Sequence, residues 1–68
     1  MERNEIIEQI IVFLRINTYG TASGMAHAVG VGYSQVKPLL VLLTLEGTIK
    51  AGYHRGRYYY FLNRDNIT

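Results

Sequence analysis

At Gly47 the hydrophobic pattern of this chain changes period, and that change constrains the fold more than any other feature. Before it, apolar residues recur at helical spacing. After it comes an aromatic run, Tyr58-Tyr59-Tyr60-Phe61-Leu62, with the composition of a strand. Both patterns fit within 68 residues, the length of one domain that buries only about 60% of its unfolded surface. The sequence has no cysteine, so neither a disulfide nor a thiolate metal site can reinforce so small a core. The expectation is one domain spanning 1–68.

Three helices are expected before the switch. The first covers about 3–17, with Ile6, Ile10 and Phe13 at i, i+4, i+7 and Ile7, Ile11 and Leu14 widening the stripe. Glu2, Glu5 and Glu8 suit the positive end of its dipole, and Asn17-Thr18-Tyr19-Gly20 reads as its stop. Val12 and Ile16 fall off the stripe. The second helix covers about 22–29, with Thr21 or Ser23 as N-cap, Met25, Ala26 and Val29 inward, and Gly30 at its end. Gly30-Val31-Gly32 is a tight turn with Val31 as an apolar plug. The third runs from about Tyr33 or Ser34 to Glu46, with Val36, Leu40 and Leu43 inward and Gly47 as C-terminal cap. Pro38 predicts that this helix starts later, near Gln35, or that its first turn is distorted.

After Gly47, residues 48–51 read as a strand, 52–57 as a polar loop and 58–62 as a second strand. Together they make a hairpin over about 48–62 with a basic tip. Tyr58 and Tyr60, in phase with Leu62, are expected in the core, and Tyr53 and Tyr59 outside it. Val41, Leu42 and Leu45 lie off the inward stripe of the third helix. They are expected to be covered by the first helix and the hairpin, the other reading being an exposed patch shared with Val12 and Ile16. Residues 63–68 read as a frayed polar tail.

Several function classes find no footing. The longest apolar runs, Ile10–Leu14 and Leu39–Leu43, have five residues each, against about 20 for a membrane span. The opening Glu2-Arg3-Asn4-Glu5 is no secretory leader, so a cytoplasmic location without membrane partners is expected. His27 and His54 are isolated, Gly30-Val31-Gly32 lacks the spacing of a phosphate-cradling loop, and no serine has a base and acid in context. Neither an enzyme, a cofactor nor a metal is expected.

The charge is more telling. The chain carries a net +2 and has a pI near 9.2. In residues 1–32, Arg3 and Arg15 stand against Glu2, Glu5 and Glu8, a net of −1. In 33–68, Lys37, Lys50, Arg55, Arg57 and Arg64 stand against Glu46 and Asp65, a net of +3. A short helix, a glycine turn and a helix with a polar start are the parts of a helix-turn-helix. Its second helix would offer Tyr33, Ser34, Gln35 and Lys37 to the major groove, with Gln35 suited to adenine and Lys37 to guanine or phosphate. His54, Arg55 and Arg57 at the hairpin tip, with Lys50 just before it, would lie along a phosphate backbone or reach into a minor groove. Four phosphate contacts, from Lys37, Lys50, Arg55 and Arg57, predict a log–log salt slope of about −3.6.

The stretches Thr21-Ala22-Ser23-Gly24-Met25-Ala26, Val29-Gly30-Val31, Val36, Leu40, Leu43, Glu46-Gly47, Gly56-Arg57 and Tyr60-Phe61-Leu62 resemble the winged-helix regulators. Within that superfamily they are most similar to the small PapI/FaeA-type fimbrial operon regulators, over about residues 4–63. The resemblance implies an α+β fold, a three-helix winged helix-turn-helix with a C-terminal two-stranded β-hairpin wing. It also implies a bacterial transcription regulator that binds double-stranded DNA, acting on a surface-fibre operon with a leucine-responsive regulatory protein as co-regulator. A monomer or weak homodimer is expected. The alternative is a winged-helix protein-interaction module using apolar faces of the first and third helices, with a single-stranded nucleic-acid binder a more distant reading of the tyrosines.

Overall fold

A computed structural model of the chain describes residues 1–64. In order it forms α1 (Arg3–Asn17), β1 (Tyr19–Gly20), α2 (Ala22–Val29), α3 (Tyr33–Glu46), β2 (Ile49–His54) and β3 (Arg57–Leu62). The sheet is antiparallel with order β1-β3-β2.

Local chemistry sets the helix ends. The Thr21 hydroxyl accepts a hydrogen bond from the Gly24 amide at 3.1 Å, so Thr21, not Ser23, caps α2. Gly30 and Gly47 close α2 and α3 in the left-handed conformation. The Gly30-Val31-Gly32 turn swings the chain through 119° between α2 and α3, within the helix-turn-helix range.

The core lies between the helices and one face of the sheet. It comprises Ile6, Ile10 and Leu14 of α1, Ala22, Met25 and Ala26 of α2, Val36, Leu39, Leu40 and Leu43 of α3, and Ile49, Tyr60 and Leu62 of the sheet. Val31 packs against this cluster from the turn. Each large aliphatic side chain buried here contributes roughly 1.5–3 kcal/mol.

Five features differ from the sequence reading. Asn17–Gly20 does more than stop α1: Tyr19 and Gly20 pair with Phe61 and Tyr60, adding a third strand. A Cβ on Gly20 would lie 2.6 Å from the Phe13 ring, so only glycine lets this strand pack against α1.

The hairpin loop is not six residues long. His54 pairs with Arg57, leaving Arg55-Gly56 as a two-residue turn with φ of 51° and 80°. Two positive φ values define the type I′ turn that matches strand twist.

α3 begins at Tyr33, and Pro38 sits inside it, exposed, as its sixth residue. Proline has no N–H to offer the Ser34 carbonyl, so α3 has one backbone bond fewer at its solvent side. The later start near Gln35 is not taken.

Val41 and Leu45 are exposed, Leu45 by 81%. They sit one helical face away from the buried Val36-Leu40-Leu43 row, and neither α1 nor the hairpin covers them. Val12 and Ile16 are exposed as well, but beside Ala28 and Val29 of α2, a patch separate from that of Val41 and Leu45.

Finally, the Asn63 amide donates to the Thr48 carbonyl at 3.1 Å and its side chain to the Gly47 carbonyl at 2.9 Å, so the chain stays anchored at that residue. The rest of the expected tail, 65–68, lies outside the described residues.

Candidate nucleic-acid interface

The N-terminal half of α3 faces β3 across a groove of about 330 Å³, lined by Thr21, Ala22, Ser23, Tyr33, Lys37, Arg57, Tyr58 and Tyr60. The start of α2 forms its end wall. Two cations and five hydroxyls line it without a carboxylate, which is the donor set that meets phosphate oxygens.

Lys37 is its centre. The ammonium of this half-buried residue donates a 2.7 Å hydrogen bond to the Tyr60 phenol oxygen. It also lies 5.4 Å from the Tyr60 ring centroid and 5.7 Å from that of Tyr58, within cation–π range. The bond to Tyr60 raises the Lys37 pKa above the usual lysine value, against the smaller opposing effect of burial. Lys37 is therefore a charge held in one place at the groove floor. Tyr58 packs edge-to-face on Tyr53, its partner across the ladder, at 4.9 Å between centroids.

The residues singled out from sequence do not form one surface. Tyr33, Lys37 and Arg57 line the groove, and Ser34 is exposed beside it on the first turn of α3. Arg55 stands at the tip of the β2–β3 turn. The Gln35 side-chain oxygen accepts from the Gly32 amide at 3.3 Å, so the group expected to read adenine instead helps to cap its own helix.

Lys50 and His54 belong elsewhere. Strand alternation puts the buried Ile49 toward the helices and the exposed Lys50 and His54 on the outer sheet face, away from the groove. Of the four expected phosphate cations, Lys37 and Arg57 line the groove, Arg57 from the strand end although its ladder position opposite His54 belongs to the outer face, and Arg55 stands at the wing tip.

Four of the five hydroxyls that line the groove were not expected there from the sequence. Thr21 and Ser23 carried only a capping signal, and Tyr58 and Tyr60 were expected in the core. Tyr60 is 4% exposed and Tyr58 57%, because the strand runs past the end of the helical layer between them. Among the described residues, no group of three or more His, Asp or Glu side chains is placed to hold a metal ion. Among the same described residues, no single helix is long and apolar enough to cross a membrane.

Three helices, a glycine turn between the last two, and a β2–β3 hairpin folded beside α3 define a winged helix-turn-helix domain. The chain is similar to the Zalpha domain of Carassius auratus PKZ, whose crystal structure is a complex with Z-DNA. The TM-score is 0.77 over 88% of this chain and 95% of that one, at 23% identity. No protein-family model matches the chain, and no curated protein sequence matches it.

Proposed function

We propose that this domain binds double-stranded DNA, seating the phosphate backbone in the groove between α3 and β3 and presenting the exposed start of α3 to the bases. The observation that carries this is the fixed Lys37 ammonium in an acid-free groove lined by Arg57 and by the hydroxyls of Thr21, Ser23, Tyr33 and Tyr58. Arg55 extends the positive edge along the wing. The winged-helix fold and the DNA complex of the similar Zalpha domain support the same reading. Its finer form is control of transcription at a bacterial fimbrial operon with a leucine-responsive regulatory protein as co-regulator. That form rests on the sequence resemblance to the PapI/FaeA-type regulators.

The test is fluorescence anisotropy of labelled duplexes over a salt series. Contacts from Lys37, Arg55 and Arg57 make about three phosphates, for a log–log slope near −2.7. Arg55→Glu combined with Arg57→Glu abolishes this binding. Absence of wild-type binding at about 50 mM salt refutes the reading. A second reading, a protein-interaction module, is favoured by the exposure of Val41 and Leu45 on α3. It requires that Leu45→Lys remove a partner contact while duplex binding persists.

A further inference from the structure

The outer face of the sheet has no part in the groove. It collects three aromatic rings from two strands: Tyr19 of β1 lies directly opposite Phe61 of β3, and Tyr59 lies two residues along on the same face. Together with Thr18 and His54 these rings line a cleft of about 400 Å³, a volume within the range of small-molecule sites. Tyr19 and Tyr59 meet edge-to-face, with centroids 5.6 Å apart and planes at 76°. Their geometry leaves Tyr19 58% exposed. A surface aromatic cluster of this size, on a face with no helix over it, is not part of the core.

The surrounding charge narrows what fits there. Strands β1, β2 and β3 contain no aspartate or glutamate, whereas their outer face carries Lys50 and His54. Lys50 lies across from Phe61 in the ladder, and His54 forms one wall of the cleft. The occupant is therefore flat, able to stack on aromatic rings, and accompanied by negative charge. In a duplex the bases are stacked on each other and their faces are closed to the protein. An unpaired nucleotide has a free π face and a phosphate on either side. The backbone leading into the cleft is also unusual: Thr18 holds φ 69° and ψ −50°, a conformation that β-branched residues rarely adopt. It turns the chain from α1 into β1 and so sets Tyr19 over the sheet.

We propose that this outer face is a stacking platform for unpaired nucleotides of single-stranded nucleic acid. Tyr19, Tyr59 and Phe61 take the bases, and His54 meets a neighbouring phosphate. None of the three rings lines the α3 groove, so this site and the duplex site stand or fall separately. DNA and RNA share the chemistry, and the two probes below tell them apart.

The experiment uses the full chain with labelled oligothymidine and oligouridine of about twelve nucleotides, within the roughly 4–16 covered by such platforms. Anisotropy is read at about 50 mM salt, and tyrosine emission is followed in parallel because the chain has no tryptophan. The expected result is binding of at least one probe with quenching of tyrosine emission. Tyr19→Ala and Tyr59→Ala should each weaken it about tenfold, Tyr19→Phe should retain it, and Tyr19→Ala should leave duplex binding unchanged. Proton NMR of the wild type guards against a variant that fails to fold: ring shifts on adding the oligonucleotide should centre on Tyr19, Tyr59 and Phe61. Failure of both probes to bind overturns the proposal. So do folded alanine variants that bind as wild type, or shifts centred on Tyr33 and Tyr58, which would place the strand in the α3 groove.

Discussion

The Lys37 ammonium and the Tyr60 phenol, 23 residues apart in the chain, share a 2.7 Å hydrogen bond that ties α3 to the middle of β3. The bond fixes the angle between the helix and the wing, and it orients the charge at the groove floor. Tyr60→Phe keeps the buried ring and removes only the acceptor. The expected cost is about 0.5–1.5 kcal/mol of stability in urea unfolding, with weaker duplex binding because Lys37 is then free to move.

The same contact has a pH signature. Lys37 has a raised pKa in the folded chain, chiefly through its bond to Tyr60. A raised folded-state pKa means that the charged lysine stabilises the fold. That contribution is fully present below the unfolded value of about 10.5 and is lost as pH rises through the higher folded value. Thermal unfolding from pH 9 upward should show wild type losing more stability across this window than Lys37→Met, about the ordinary lysine range.

At the wing tip, stability and binding should move in opposite directions. Arg55 holds φ 51° next to Gly56 at φ 80°, a conformation that asparagine adopts more readily than arginine. Arg55→Asn should therefore stabilise the chain by up to about 1 kcal/mol. Through the loss of one phosphate contact, it should also make the salt slope of duplex binding shallower by about 0.9. Urea melts and the anisotropy series measure the two effects on the same sample.

Pro38 is exposed within α3, so its replacement disturbs no packing. Pro38→Ala restores an amide donor for the Ser34 carbonyl. A helix-interior proline costs about 3 kcal/mol, less about 0.4–1 kcal/mol for its restriction of the unfolded chain. A gain of roughly 2 kcal/mol in unfolding free energy is expected. A loss of stability would mean that the proline shapes the start of α3.

Gly20→Ala tests the third strand. The added methyl would sit 2.6 Å from Phe13 Cε1, a clash that requires the Phe13 ring or β1 to move. A loss of about 1–3 kcal/mol is expected, and circular dichroism should show the helices retained.

The helices and the class of fold were legible because their causes are local. The i, i+4 stripe of Ile6, Ile10 and Leu14, the Thr21 cap and the glycines at 30 and 47 each act within a few residues. The change of period at Gly47 marked the hairpin in the same way. The site was legible only in part, since Tyr33, Lys37 and Arg57 share the groove while Lys50 and His54 lie across the sheet from it. Alternation from the buried Ile49 assigns those two to the opposite face, but only once the strand is known to continue through Gly52 to His54. The sequence cannot show that continuation, because glycine and polar residues in that stretch read equally well as a loop. Tertiary structure alone decided three things: that Tyr19 and Gly20 pair with β3, that Tyr60 is buried while Tyr58 is not, and that Val41 and Leu45 stay uncovered. Each depends on where one element ends over another distant in sequence. Composition and periodicity specify which faces are apolar, but only the packed arrangement specifies how far the covering layer reaches.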